Sequence, residues 1–199
     1  IIMSSNKSSV GVIVGSSRTQ RVGMAIAKWF VETSKLTDQH TVEIIDLAEW
    51  NLPLYDEAMP PMMLKGEYTT EAGKKWAAKI GSLDSFIILS PEYNLGYPAA
   101  LKNAIDYLYG EWQKKPVMVV TYGYSTGGSS SNDQLVHILS GNSPIQTRLT
   151  TTRPKLFLSR GMYDEKGQVA NFSIFDKHLE EIKQAVNEFT ELNKTPVIS

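Results

Sequence analysis

A segment rich in hydroxyl and guanidinium groups, Gly15-Ser16-Ser17-Arg18-Thr19-Gln20-Arg21, follows the first long apolar run of the chain. If a helix begins after it, the backbone N–H groups and the helix dipole would attract an anion. Arginine would add forked hydrogen bonds. These groups suit a phosphate monoester dianion, although a solvated turn with two surface arginines would have the same composition.

The same segment excludes two common nucleotide loops. It matches neither G-x-G-x-x-G, the dinucleotide pattern, nor G-x-x-x-x-G-K-[ST], the nucleoside triphosphate pattern. A single terminal phosphate without a triphosphate motif points instead to a mononucleotide such as FMN.

A second unusual segment, Ser90-Pro91-Glu92-Tyr93-Asn94-Leu95-Gly96-Tyr97-Pro98, follows another apolar run where two or three residues would make the turn. Pro98 sits where a helix would take its first residue. The excursion would raise Tyr93 and Asn94 above the sheet edge, where a planar ring could rest against them. A rigid structural loop is the alternative. Glu92 has no partner nearby in sequence, and we interpret it as a hydrogen bonder that fixes the loop.

A third segment, Tyr122-Gly123-Tyr124-Ser125-Thr126-Gly127-Gly128, contains G-x-S-x-G after an apolar run, the pattern of a serine hydrolase nucleophile elbow. Asp164 or Asp176, followed by His178, would complete the order Ser, Asp, His. The elbow needs a helix to start almost at once, whereas residues 128–130 intervene before the expected helix cap. We also expect His178 to be solvated, so the hydrolase is the weaker alternative.

The elements that must position these segments follow from the apolar pattern. Continuous apolar runs predict strands at residues 10–15, 41–45, 86–89, 117–122 and 154–160. Apolar residues at helical spacing predict three of the intervening helices: one with Val22, Ile26 and Phe30; one with Leu101, Ile105, Leu108 and Trp112; and one with Phe175, Leu179, Ile182, Val186 and Phe189. A fourth helix is predicted over residues 70–80. A capping box of Ser131 and Gln134 predicts the start of the fifth.

Strands built of continuous Val, Ile and Phe are buried on both faces, as in a parallel sheet covered by helices. Right-handed crossovers then predict an α/β fold with five parallel strands and helices on both faces. In such folds ligands bind outside the carboxyl ends of the strands, where strand order reverses. The three unusual segments follow predicted strands one, three and four, so we expect them to meet there.

Composition and charge indicate one compact domain. The chain has 199 residues, is 42% hydrophobic and carries a net charge of −1. We predict a single domain over residues 10–192, with flexible residues 1–9 and 193–199. No cluster of Lys or Arg suggests nucleic acid or a membrane surface as a partner, and no apolar run approaches the length of a membrane span.

The residues suited to metal or thiol chemistry are few. The chain has no cysteine, which excludes disulfides, thiol nucleophiles and thiolate metal sites. It has three histidines without paired spacing, so we predict no metal site. We interpret His40 and His137 as surface or helix residues. The absence of cysteine is compatible with the cytoplasm, where we expect the protein.

Two of these motifs together resemble a known family. The run Pro91-Glu92-Tyr93-Asn94-x-Gly96-x-Pro98-x-x-Leu101-Lys102-Asn103-x-x-Asp106, with Gly15-Ser16-x-Arg18 upstream, is similar to the NAD(P)H-dependent FMN reductases, which include quinone and azo-dye reductases. The resemblance extends from about residue 10 to at least residue 139. It implies a flavodoxin-like three-layer sandwich that binds FMN.

The resemblance also implies which residues hold the cofactor. The phosphate would lie at Ser16, Arg18, Gln20, Arg21 and Val22, and the isoalloxazine beside Pro91, Glu92, Tyr93, Asn94 and Gly96. The loop of Tyr122, Gly123, Gly127 and Gly128 would turn its amides to the pyrimidine side of the ring.

The activity implied is transfer of hydride from NADPH or NADH, through bound FMN, to a quinone, azo compound, free flavin or ferric acceptor by a ping-pong mechanism. No side chain is required as an acid or base, so none is predicted to be catalytic. A flavin-binding redox sensor that docks a protein partner would use the same pocket and is the alternative.

The resemblance implies a homodimer or homotetramer built on the helix at residues 98–112. Lys102 and Asp106 would be candidates for contacts across that interface. The alternative is an ordinary ion pair within one helix, because the two residues are four apart.

Overall fold

The computed structural model describes residues 7–195, and they alternate between strands and helices as predicted. The elements in chain order are β1 (Ser8–Val14), α1 (Gly23–Thr33), β2 (His40–Asp46), α2 (Leu47–Trp50), α3 (Pro61–Leu64), α4 (Glu71–Gly81), β3 (Ser85–Pro91), α5 (Ala99–Asp106), β4 (Pro116–Gly123), α6 (Ser129–Leu139), β5 (Arg148–Leu149), β6 (Lys155–Phe157) and α7 (Leu179–Lys194). Short 3-10 helices lie at Leu36–Asp38, Arg160–Met162 and Ser173–His178.

Most of the two terminal segments predicted to be flexible lies outside the described residues, namely residues 1–6 and 196–199. The parts that are described include regular structure, since β1 begins at Ser8 and α7 continues to Lys194. Within residues 7–195, no helix combines the length and the apolar character needed to cross a bilayer.

All strands are parallel, in the order β2-β1-β3-β4-β5, with β6 also paired to β4. This is the flavodoxin-like order, which reverses between β1 and β3, and the predicted fold class is confirmed. Val14 pairs with Leu89, and Pro91 with Tyr122, so β1, β3 and β4 end at one edge of the sheet. The loops after these three strands therefore meet at that edge.

The core lies in two layers on opposite faces of the sheet. Side chains of α1 and α7 cover one face, and those of α4, α5 and α6 cover the other. Alternate residues of β1 serve both layers, with Val12 packed toward α1 and Ile13 toward α4. Burial of each large apolar side chain stabilises the fold by roughly 1.5–3 kcal/mol.

The helix predicted over residues 98–112 is too long, because α5 ends at Asp106. Pro98 is its N-cap, one residue before the first helical position. Beyond the helix the chain turns back, and the Trp112 indole N–H donates to the carbonyl of Ile105 at 3.1 Å. Leu108 and Trp112 remain buried, so their apolar spacing is explained by burial in a turn and not by a helix.

The strand predicted at residues 154–160 also differs from the structure. Two short strands, β5 and β6, lie beside β4 and pair with its opposite ends. The interruption coincides with hydrogen bonds to a distant helix. The backbone N–H groups of Thr151 and Thr152 both donate to Glu188 on α7, at 2.9 Å each, which draws this stretch away from the sheet.

The start of α6 differs as well. The helix begins at Ser129 after Gly128, whose φ of +85° suits glycine, so the predicted capping box is wrong. Ser131 is buried one turn inside and lies 3.0 Å from the Ser90 hydroxyl, while the Gln134 amide donates to Leu95 O.

Candidate active site

Ser16 joins the loops after β1 and β3. Gly15 N–H donates to Leu89 O at 2.9 Å, which extends the sheet by one residue before the chain turns away. The buried Ser16 Oγ then lies 2.6 Å from Tyr93 Oη. Two segments 77 residues apart in sequence are thus held together by one hydrogen bond.

The N-terminus of α1 faces these loops without a side-chain cap. Its N-cap is Val22, and no acidic residue lies in its first turn. Its first N–H groups therefore have no carboxylate or hydroxyl acceptor among the described residues. Such an end attracts anions because N–H groups and the helix dipole point outward.

The two arginines of this loop have different environments. Arg21 forms an ion pair with Asp46, whose side chain is only 2% exposed, and also donates to Arg18 O at 3.2 Å. Asp46 in turn accepts from Ala48 N at the start of α2. Arg18 is exposed, forms no ion pair within residues 7–195, and makes only a long contact of 3.4 Å with Gln20 O. Arg18 thus supplies the uncompensated positive charge of the loop.

The excursion after β3 is a tight turn. Tyr93 and Gly96 exchange two backbone hydrogen bonds, of 2.7 and 3.0 Å, around Asn94 and Leu95. Both central residues have positive φ, +49° and +62°, as a type I′ turn requires. Leucine in this region costs about 1 kcal/mol or more. Leu95 is nevertheless 68% exposed, so the strain presents an apolar side chain at the tip of the turn.

Glu92 connects this excursion to the loop after β4. Its carboxylate accepts from Ser130 N at 2.7 Å and Ser131 N at 3.4 Å, at the N-terminus of α6. The other oxygen accepts from the Thr126 hydroxyl at 3.2 Å, and Glu92 N–H donates to Tyr122 O at 3.3 Å. The prediction that Glu92 fixes the loop by hydrogen bonds is confirmed.

The glycines of the loop after β4 allow close packing against the sheet. A Cβ on Gly128 would lie 2.8 Å from Thr121 Cβ, and one on Gly127 would lie 3.0 Å from the Lys155 backbone. Both have positive φ. Gly123 is similarly close to Gly128 N, at 3.1 Å. The packing of the loop itself thus accounts for these glycines, and contact of its amides with a ligand stays a prediction.

A cleft of about 240 Å³ opens between the three loops. Eight of the predicted residues line it, namely Ser16, Arg18, Val22, Pro91, Glu92, Tyr93, Tyr122 and Gly123. The other six do not: Gln20, Arg21, Asn94, Gly96, Gly127 and Gly128. A larger groove of about 470 Å³ between the end of α1 and α7 lies away from the carboxyl ends of the strands.

Sequence reasoning assigned no ligand role to three lining residues, Tyr124, Leu158 and Tyr163. Leu158 follows β6, at the same edge of the sheet as the other loops. The rule that ligands bind at the carboxyl ends of parallel strands could have found this segment. The predicted fifth strand extended to residue 160 and so included Leu158, and no ligand role was predicted for the segment after it.

The cleft also contains a buried hydroxyl without a partner. Tyr122 is 3% exposed, and its Oη forms no hydrogen bond within the described residues. It packs against the start of α1, where a Cβ on Gly23 would lie 2.6 Å away. Burial raises the pKa of Tyr122, so the hydroxyl keeps its proton and can donate it.

A family model described as NADPH-dependent FMN reductase matches residues 8–152. The chain belongs to this family. An NAD(P)H-dependent FMN reductase of Schizosaccharomyces pombe is 40% identical over 181 residues, which cover 91% of this chain and 88% of that protein. One of Saccharomyces cerevisiae is 43% identical over 141 residues, 66% of this chain and 73% of that protein. The family predicted from the motifs is confirmed.

A solved structure shows the same fold. The flavoenzyme NAD(P)H:(acceptor) oxidoreductase of Paracoccus denitrificans superposes with a TM-score of 0.67 at 22% identity, over 94% of this chain and 97% of that one. Family membership makes the chain an oxidoreductase, and the predicted cofactors, FMN with NADH or NADPH, are those of an FMN reductase.

The geometry does not assemble the serine hydrolase that was the alternative to an FMN reductase. Ser125 is an exposed turn residue, and α6 begins only at Ser129. Among the described residues no hydrogen bond joins Ser125 to His178. The expectation that His178 is solvated is wrong, because its ring is buried and stacked on Phe157 at 5.9 Å.

The other histidines and the acidic residues form no alternative centre in this FMN reductase. His40 is buried in β2, which corrects the interpretation of it as a surface or helix residue, whereas His137 is exposed on α6. Within residues 7–195 no three His, Cys, Asp or Glu side chains converge as a metal site would require.

Proposed function

We propose that this chain is an FMN-containing reductase that carries electrons from NADPH or NADH to a quinone, azo compound, free flavin or ferric acceptor by a ping-pong mechanism. The observation that carries the proposal is the convergence of three loops on one cleft, joined by the 2.6 Å contact between Ser16 Oγ and Tyr93 Oη. Family membership supports the reaction class.

The donors at one end of the cleft fit a phosphate monoester. The uncapped N-terminus of α1 and the buried Tyr122 hydroxyl lack an acceptor among the described residues. The Ser16 and Tyr93 hydroxyls use one of their two protons in the bond between them, so the pair can donate the other. Arg18 adds a positive charge, whereas Arg21 is neutralised by Asp46. We assign the phosphate to Ser16, Arg18 and the backbone of residues 20–22, with Arg21 acting through its ion pair to hold the loop.

The other end suits a planar ring. The type I′ turn of Tyr93, Asn94, Leu95 and Gly96 provides backbone groups, the Asn94 side-chain amide and the exposed Leu95 side chain just beyond the end of β3. We assign the isoalloxazine to this turn with Pro91 and Glu92, and its pyrimidine side to the loop of Tyr122, Gly123, Gly127 and Gly128. Gln134 Nε2 donates to Leu95 O at 2.8 Å, which ties the turn to α6.

FMN, when bound, supplies the chemistry of hydride acceptance and electron release. The chain's own residues bind and orient it and leave one side of the cleft open. Glu92, the one carboxylate lining the cleft, is engaged with the amides of α6, so the proposal gives it no acid or base role. A single open cleft would be visited in turn by NAD(P)H and acceptor, which predicts ping-pong kinetics.

Assembly and location remain part of the proposal. Lys102 and Asp106 form an ion pair within α5, which supports the intrahelical alternative. The segment around Pro53 packs on α5, where the Asn103 side-chain amide donates to Pro53 O at 2.8 Å. The next residue, Leu54, is 81% exposed. This apolar surface supports a homodimer or homotetramer on that side of the molecule. We expect the protein in the cytoplasm.

An anaerobic titration followed by visible spectra tests the class of activity. The purified chain should be yellow or become so with added FMN, and NADPH or NADH should bleach it. Rapid catalytic turnover with a quinone would separate the reductase from a redox sensor, which would show slow reduction linked to partner docking. A colourless chain that takes up no FMN would contradict the proposal.

Arg18→Ala tests the phosphate assignment. FMN binding should weaken by about 1.5–3 kcal/mol, the contribution of a hydrogen bond to a charged group, which is a rise in Kd of roughly 10- to 150-fold. Riboflavin, which lacks the phosphate, should bind the variant and the parent equally. Lys28→Ala removes an exposed charge further along α1 and is the matched control. Unchanged FMN affinity in the Arg18 variant would show that the loop has another role.

A further inference from the structure

The segment after β6, residues 158–172, forms a strap over the edge of the cleft. Its base is Met162, which is completely buried and whose carbonyl accepts from Ala170 N at 2.8 Å and Asn171 N at 3.1 Å. At its end Phe172 stacks on Trp29 of α1, with ring centroids 5.7 Å apart. The strap is therefore anchored at both ends, and it lies beyond the residues 8–152 that match the family model.

Tyr163 extends from this strap into the cleft. A bridge to Val169 and a turn capped by Asp164 Oδ1, which accepts from Gln168 N at 2.8 Å, fix the backbone beside it. The Tyr163 and Tyr124 hydroxyls lie 3.1 Å apart and form one hydrogen bond. Because that bond uses one of two hydroxyl protons, the pair retains a second proton that it can donate.

Within residues 7–195, the cleft contains donors without a partner but no free carboxylate. Its one lining carboxylate, Glu92, is engaged by Ser130 N. The Tyr122 hydroxyl is buried and unpartnered, and Arg18 lacks an ion pair within the described residues. A buried donor normally has a partner, so the Tyr122 hydroxyl calls for an acceptor, and an anion with several oxygens could accept from it and from the exposed Arg18.

We propose that Tyr163 is a specificity-determining residue that donates a hydrogen bond to the phosphate of the flavin mononucleotide. The strap then completes the phosphate end of the cleft, which Tyr163 lines together with Arg18 and Val22, the N-cap of α1. This inference rests on the proposed function, because it assumes that the cleft holds FMN.

Tyr163→Phe removes the hydroxyl and keeps the ring that packs in the strap. Titrations of the full chain, freed of flavin, should show the Kd for FMN rising about 10-fold or more, as expected for a hydrogen bond to a charged group. The Kd for riboflavin should change less than about 2-fold. The unfolding temperature without flavin should match the parent, because the partner hydroxyl of Tyr124 is exposed and can bond to water. Tyr109→Phe, outside the cleft, is the matched control.

The outcomes separate this inference from the proposed function. A parent that binds FMN tightly, with a Tyr163 variant of equal affinity, overturns the role of Tyr163 and leaves the reductase intact. Equal weakening of FMN and riboflavin also overturns it, because the hydroxyl would then act on the ring or on the cleft wall. A parent that binds no FMN overturns both.

Discussion

Replacing Glu92 by alanine should destabilise the fold by about 2 kcal/mol. The N-cap of α6 is Gly128, which has no side chain to cap the helix, so Glu92 supplies the cap from 38 residues away. Loss of a cap costs about 1 kcal/mol. The carboxylate at the positive end of the helix adds about 0.5 kcal/mol, and its bond to Thr126 adds about 0.5 kcal/mol.

Urea unfolding of the flavin-free chain measures this loss of stability directly. In a domain of this size, a loss of about 2 kcal/mol should also lower the unfolding temperature by roughly 4–8 °C. Glu92→Gln keeps an oxygen that can accept from Ser130 N but loses the charge, so about half of the stability should return. Glu67→Ala is the matched control, because that exposed carboxylate has no side-chain hydrogen bond or ion pair in the described part of the chain. It should unfold like the parent.

Turnover should respond to these substitutions differently from stability. The Gln variant should retain most of its kcat, since the carboxylate serves the helix and not the reaction. The opposite pattern would refute the account: Glu92→Ala as stable as the parent, with both variants binding FMN normally but failing to turn over. Glu92 would then have to act on substrate or cofactor.

Two further predictions concern stability. Gly128→Ala should lower the free energy of unfolding in urea by about 2–4 kcal/mol, because the new Cβ would lie 2.8 Å from Thr121 Cβ and the residue would keep a φ of +85°. A loss below about 1 kcal/mol would mean that the loop can shift to accept the Cβ. Burial, with smaller effects from the charges of Lys7 and Lys194, lowers the pKa of His40 below 6.5. The unfolded chain therefore binds this proton first, so stability should be unaffected above pH 6.5 and should fall as the pH drops from 6.5 to the folded pKa. His40→Gln should flatten this dependence in unfolding curves between about pH 7.5 and pH 5.5, and an unchanged slope would exclude His40 as its source.

The sequence by itself determined the class of fold and the place of the site. Continuous apolar runs such as Phe86-Ile87-Ile88-Leu89 can be satisfied only by burial on both faces, and alternation with amphipathic stretches then leaves a parallel sheet. Because all strands run the same way, segments after strands one, three and four had to reach one edge. Loop composition around Arg18 and Tyr93 was sufficient to predict a mononucleotide site at that edge.

Only the tertiary structure decided which groups are committed and which are available. Arg18 and Arg21 are equivalent in sequence, but packing brings Asp46 against Arg21 alone. Burial of His40 and the entry of Tyr163 into the cleft likewise depend on elements distant in the chain. Apolar periodicity depends on residues that are close together in the chain, so it can be recognised from the sequence. The pairing of single polar groups depends on side-chain positions fixed to within an ångström by packing, and no local pattern encodes it.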